Sequence, residues 1–433
     1  MLVLSKLLDG LEAIFASFPD KRKGVDVVYS MSEMAMAAFS LFFTQSESFL
    51  SHQRSLEEGE KISNCQTLFG MGKIPSDNHI RSMLDEAPPQ LLQPAFDQTL
   101  AALRDSDGLK DFQQLGERTL IAWDGTEYFC SQKLGCPHCQ TRKRSNGKIE
   151  HYHSMLAATI VAPGVNKAVP LMPEFIVKQD GAEKQDCERN ARACWLDLHW
   201  ERVKDLRPIF LGDDLFACQP VCADVLARGA DFIFTAKKES HKTLYDFMHG
   251  AARETLTITR KDEDGKKRTY RLRWFLAAPL RDGKDGLHVN WLGVTVLNAK
   301  GKVCYDGALV TSPAITKENV QEIAACARAR WKIENETFNV LKNNGYNLEH
   351  NFGHGKKHLA MLFAAMNLLA FAMHTVMDCV EERWVKARNA KRVRKRFFDH
   401  IRMLTEYLVF ADWDALMTTL ITSKPPPKIQ CDA

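Results

Sequence analysis

The apolar positions of the chain change their spacing along its length, and those changes predict its elements. Up to about residue 115 they recur at helical intervals in bursts, at residues 34–43 and 91–103, separated by polar stretches, which predicts a separate helical domain. From residue 119 the texture turns to strands. Residues 119–123 (TLIAW) form a continuous apolar run, and residues 153–162 and 168–177 predict two further strands joined at Pro163-Gly164, an antiparallel start. Residues 183–202 begin acidic and then place Ala191, Trp195 and Leu198 at helical spacing, leading into an apolar strand at 208–212 (PIFLG). A helix at 215–227 and a strand at 231–236 follow. Residues 237–312 are β-rich, with strands predicted at 255–260, 268–276, 288–297 and 303–311 and Asp-Gly and Lys-Gly turns between them. Helical spacing then returns at 328–342, 359–380 and 383–402.

These textures predict an α/β protein of several parts, since 433 residues exceed one ordinary core. A helical N-terminal domain spans 1–115. A mixed-sheet core has its first half at 116–236 and its second at 315–380, interrupted by a β-rich insertion at 237–314. A basic helical region, 381–433, closes the chain. Residues 359–380 are apolar enough to raise the question of a membrane span, but Asn367, His374 and Asp378 interrupt them, so a core helix packed on the sheet is expected and no membrane. Lys6, Asp9 and Glu12 are dispersed among the first apolar residues, unlike a secretory signal, and the 12 cysteines are scattered, which fits a reducing cytosol.

Net charge is only +4, so its distribution is more informative than its sum. Residues 383–402 hold nine basic residues, Arg383, Lys386, Arg388, Lys391, Arg392, Arg394, Lys395, Arg396 and Arg402, against one acid, Asp399. A basic helix is commonly just a solvated face, but this density favours phosphate-backbone contact, with Lys391, Arg392, Arg394, Lys395 and Arg396 as the candidates. In the N-terminal part, Ser76-Asp77 opens a helix that continues through Ile80, Met83 and Leu84 with Arg81 expected on its exposed side. It reads as a capped surface helix or as the reading helix of a helix-turn-helix.

Candidate chemistry lies in acids at strand ends and on one helix. The strand at 119–123 runs into Asp124-Gly125-Thr126 and the strand at 208–212 into Asp213-Asp214; carboxylates there are held by a rigid sheet. At ~100° per residue, Glu334 falls within an apolar stripe of Ala327, Trp331, Phe338 and Leu341, with Arg330 one turn before it. A carboxylate buried on that face needs a partner or a cation, so Glu334 is either a structural mate of Arg330 or a metal ligand. A second candidate centre is the CxxC of Cys136 and Cys139, with Cys130 upstream and His151 and His153 downstream. It reads as a zinc knuckle across 130–153, which needs four ligands, or as a loop with two reduced cysteines. The adjacent Arg142, Lys143 and Arg144 would suit phosphate contact.

The order Asp, Asp, Glu, with DGT at 124–126, GDDLF at 212–216 and RWKIENETF at 330–338, resembles the DDE transposases of bacterial insertion sequences. It is most similar to the insertion-sequence-4-like group, which carries a long insertion between the second Asp and the Glu. The group's helix motif is Tyr, two residues, Arg, three residues, Glu, six residues, Lys. Arg330 and Glu334 match it in register, Ala327 stands where the Tyr belongs, and Lys342 comes one residue late. The resemblance implies an RNase H-like core, to which the predicted wiring of three antiparallel strands, helix, strand, helix, strand also points.

It further implies that Asp124, Asp213 and Glu334 hold two Mg²⁺ ions, with Mn²⁺ able to substitute and Asp214 the other choice at the second position. Arg330 and Lys342 would lie along the DNA. The implied reaction is strand cleavage at terminal inverted repeats of double-stranded DNA and transfer into target DNA, usually by a homodimer, in the bacterial cytoplasm at the nucleoid. Zinc at Cys136 and Cys139 would be structural. A repair nuclease or resolvase on the same core, and a non-catalytic DNA-binding descendant of a transposase, are the alternatives.

Overall fold

A computed structural model describes residues 3–23, 27–57, 62–178, 184–262 and 264–426. Helices come first: α1 Val3–Ala16, α2 Met31–Phe43, α3 Phe49–Glu57, α4 Asn64–Phe69, α5 Asp77–Leu84 and α6 Gln93–Asp105. The next elements are strands: β1 Gln113–Gln114, β2 Arg118–Ser131, β3 Gln140–Lys143, β4 Ile149–Val161, β5 Val169–Pro170 and β6 Glu174–Ile176. Then α7 Lys184–Val203, β7 Ile209–Gly212, α8 Gln219–Ala227, β8 Asp231–Thr235 and α9 Lys242–Phe247 alternate. The first residue of the helix expected at 183–202 lies outside the described residues.

The core strands follow the expected RNase H-like wiring. β2 pairs antiparallel with β4, and β4 with β5 and β6; on its other side β2 pairs parallel with β7, and β7 parallel with β8. The third strand, expected as one run at 168–177, is instead split into β5 and β6. Pro170 and Pro173 account for the split, because neither can donate a backbone hydrogen bond to the ladder. β2 runs well past Asp124, to Ser131, and pairs with β4 along that extension to form an arm that includes β3.

Alternation along the central strands sorts their side chains onto two faces. Ile121, Trp123, Phe210, Phe232 and Phe234 pack with Trp195 of α7 and Val221 of α8, the Trp123 ring stacked 4.1 Å from that of Phe210. Leu120, Ala122, Ile209, Leu211 and Ile233 pack on the opposite face with Val320 and Ile323 of α10, Val320–Arg328.

The β-rich stretch does not fold apart from this core. β9 Glu254–Lys261, β10 Lys267–Pro279, β11 His288–Asn298 and β12 Val303–Thr311 form an antiparallel meander, and β12 pairs with β8, so the sheet reads β3-β4-β2-β7-β8-β12-β11-β10-β9. The edge of β8 away from β7 is where the added strands join. The N-terminal helices likewise do not stand alone as the apolar bursts suggest. α1 and α2 share one hydrophobic core with α11 Asn339–Asn343, α12 Leu359–Val380, α13 Glu382–Ala390, α14 Arg394–Tyr407 and α15 Trp413–Thr422.

The apolar α12 is that lobe's central helix, long and apolar enough by composition to cross a membrane but with 94% of its apolar window buried inside the fold. Its polar interruptions are all engaged. Asn367 donates to the Tyr346 carbonyl, His374 bonds the Tyr346 hydroxyl at 2.7 Å, and Asp378 pairs with Arg388 at 2.7 Å and Arg394 at 3.2 Å.

Candidate active site

The two aspartates meet because their strands are parallel neighbours in a fixed register. Leu120 lies opposite Ile209 and Ala122 opposite Leu211, so two residues further on the same alternation sets Asp124 beside Asp213 on the α10 face. The alternation also separates Asp213 from Asp214, whose carboxylate turns away to accept from the Lys237 amide and the Ser240 hydroxyl, 3.2 Å from His241 Nε2. Burial works against the Asp214 charge, but those bonds outweigh it and hold its pKa below the ordinary value. Asp214 therefore ties the β7 end to the segment after β8, and Asp213, whose Oδ1 accepts from the Leu215 amide, faces Asp124.

Glu334 arrives from the opposite element, but not on the helix the wheel assumes. After α10 the chain tightens through Ala329 and Arg330, and residues Ile333–Phe338 form a π-helical turn, closed by the Asn339 amide on the Glu334 carbonyl. Such turns insert a residue relative to α-helical register. The stripe shifts accordingly. Ile333, Thr337, Phe338 and Leu341 are buried, Trp331 is 55% exposed, and the Glu334 side chain is 44% exposed rather than sunk in an apolar face. Arg330 Nη1 lies 2.9 Å from Glu334 Oε1 and 3.6 Å from Asp124 Oδ2, joining the helix to the sheet.

A fourth acid, absent from the candidates read in the sequence, stands over this cluster. A Cβ placed on Gly125 would lie 2.7 Å from the Glu188 carboxylate, which gives the Asp-Gly pair its reason: only glycine leaves room for the α7 acid beside Asp124. Its signal in the sequence is the acidic start of α7, which reads only as a helix opening. Electrostatically the site is short of positive charge. Burial pushes the Asp124 pKa up, to about 7; Arg330 pulls it down, while Glu334, Asp213 and Glu188 each add to the rise. A donor set of carboxylates on a rigid sheet edge, crowded and relieved by a single arginine, fits hard divalent cations of the Mg²⁺ type.

The basic candidates fall into two groups. Arg394 is turned inward against Asp378 and the Tyr346 hydroxyl, so the expectation that it meets DNA is corrected: its charge is used in neutralising a buried acid. Arg142 bridges Glu127 and Glu150, and Arg144 also pairs with Glu150, while Lys143 is exposed. Lys342 pairs with Glu349 and Lys395 with Asp399. Among the described residues no ion pair involves Arg392 or Arg396, both exposed, or the half-buried Lys391. Arg81 is not a free reading residue either; it binds the Phe352 carbonyl and Asp77. A groove lined by Arg260, Lys261, Asp262, Asp264, Arg268, Arg328 and Lys332 runs between the meander and α10; Arg268 pairs there with both aspartates and Arg260 with Asp262, so its charge is mixed.

A sheet of this wiring, with acids at the ends of its parallel strands, is an RNase H-like core. The transposase DDE domain family matches residues 182–372, a span that takes in Asp213, Arg330 and Glu334 and begins after Asp124. Over that stretch the chain is similar to the transposase DDE domain family. No curated protein matches the chain.

Proposed function

We propose that this protein cuts DNA at the ends of a mobile element and joins those ends to target DNA, with Asp124, Asp213 and Glu334 as its catalytic acids. The observation that carries this reading is the meeting of Asp124 and Glu334 at Arg330, with Asp213 beside Asp124, where one arginine does not offset burial and the neighbouring acids. Asp124 and Asp213, fixed by neighbouring strands, would hold Mg²⁺ or Mn²⁺, and Glu334 would complete the set. Bound there, divalent cations stabilise charge on the phosphate and promote attack by water or a 3′-hydroxyl. Arg330, 2.9 Å from Glu334, would hold that acid in the absence of DNA and meet phosphate charge in its presence. Glu188, against Gly125, adds to the negative field at Asp124. The insertion-sequence-4-like order, with the β9–β12 meander between Asp213 and Glu334, supports that group assignment, and with it a homodimer on DNA working at the nucleoid in the cytoplasm.

The test is cleavage of double-stranded DNA bearing the inverted repeats that flank the gene. Asp124→Asn, Asp213→Asn and Glu334→Gln are each expected to abolish nicking while leaving binding of the same DNA intact. A variant that cleaves at the wild-type rate removes that residue from the site, and wild-type protein that binds the repeats without cutting them with Mg²⁺ or Mn²⁺ favours the non-catalytic reading.

A further inference from the structure

The CxxC loop and two histidines, one of them distant in sequence, form a second centre away from the carboxylates. Cys136 and Cys139 sit on the turn between β2 and β3, His153 on β4, and His354 in the segment leading into α12. Their ligating atoms all lie within 4.8 Å of one another. The separations are 3.8 Å between the two sulfurs, 3.5 and 3.3 Å from His153 Nε2 to Cys136 and Cys139, 3.4 Å from Cys139 to His354 Nε2, and 3.2 Å between the two imidazole nitrogens. Ligand bonds of ~2.3 Å to sulfur and ~2.0–2.1 Å to nitrogen at tetrahedral angles require about 3.8 Å between sulfurs, about 3.6 Å between sulfur and nitrogen, and about 3.3 Å between nitrogens. The match extends over both ligand types. A disulfide is not the alternative, because its sulfurs would be ~2.05 Å apart.

We infer that Cys136, Cys139, His153 and His354 bind one structural zinc ion. Two thiolates and two neutral imidazoles balance the charge of Zn²⁺, and four protein ligands close the coordination sphere, as in structural rather than catalytic zinc sites. The surroundings hold the ligands in place. His354 Nδ1 is 3.0 Å from the Gly355 carbonyl, so it donates there and leaves Nε2 as the ligating atom; the Cys136 amide donates to Cys139 Sγ, and the His153 ring stacks on Tyr128. His151, an equally near histidine in sequence, points instead at Gly135. What the ion joins gives it a role. Three ligands belong to the arm of β2 and β4, and the fourth lies beyond Glu334, so one ion ties the strand that carries Asp124 to the segment that follows the Glu334 turn.

The test is metal content of the intact chain purified without chelators, independent of any cleavage assay. Wild-type protein is expected to carry about one zinc per chain, and His354→Ala to lose it while His151→Ala keeps it. Cobalt replacing zinc in the wild type should give the visible absorption of a tetrahedral thiolate–imidazole site. Should His354→Ala fail to fold, His354→Cys supplies a thiolate, another structural zinc ligand, and is expected to retain zinc. Zinc-free wild-type protein that also fails to take up cobalt overturns the inference, as does full zinc occupancy in soluble His354→Ala.

Discussion

Asp124 and Asp378 are both carboxylates whose pKa burial raises, and they are answered in opposite ways. Asp378, 2% exposed at its side chain, is met by Arg388 and Arg394 and by the Trp384 indole, all supplied by the two helices that follow α12. Asp124 has one arginine, which it shares with Glu334, and three further acids around it. The chain completes the first site by itself and leaves the second incomplete. On the proposed reading, that difference separates an acid that holds a fold together from one that would be completed by a cation.

Removing the Asp124 charge should give the largest effect. Asp124→Asn is expected to eliminate strand cleavage, yet in metal-free buffer its thermal midpoint should equal or exceed that of the wild type, because a crowded negative charge has gone. A drop of several degrees would mark Asp124 as structural. At the other end, Asp378→Ala leaves two arginines facing an apolar helix without their counter-ion, and should cost about 3–5 kcal/mol in denaturant unfolding. A loss within experimental error would show that Arg388 and Arg394 find other partners.

The basic residues sharpen the same contrast, since some face Asp378 and others face outward. Neutralising Lys391, Arg392 and Arg396 together should weaken binding to specific and random DNA alike and shrink the slope of log K against log salt by up to about 0.9 for each phosphate left without its cation. An unchanged slope would make this a solvated face. The smallest effect is expected at Glu188. Glu188→Gln keeps the shape over Gly125 but removes a charge, and should raise the Mg²⁺ concentration for half-maximal cleavage about 10-fold without changing the products. No change would place Glu188 outside the field of the site.

Much of the core is legible in the sequence because its strands are short continuous apolar runs: TLIAW and PIFLG sit where they are expected, each ending in an acid. Between Asp213 and Asp214, open in the motif itself, the alternation of Ile209, Leu211 and Asp213 puts Asp213 on the face of Asp124 and supports it as the proposed acid. The Glu334 turn is not legible, because a wheel at a fixed angle cannot show that one turn takes an extra residue. That extra residue equals the one-position displacement of Lys342 from the family spacing. His354 lies 201 residues from His153, and no local pattern could pair them. Charge density likewise overcounts the DNA-facing residues, since it cannot see Asp378 behind Arg388 and Arg394. The N-terminal bursts look like a separate domain because their partner, α12, lies more than two hundred residues away and reads as a helix of the sheet.

In the proposed reading, Asp124, Asp213 and Glu334 form a site whose missing positive charge is a divalent cation. Calorimetric titration of Mg²⁺ into DNA-free protein, with the cysteine–histidine centre left undisturbed, tests it directly. Saturable binding is expected for the wild type, lost in Asp124→Asn and strongly weakened in Glu334→Gln. Equal affinity in all three proteins would contradict it.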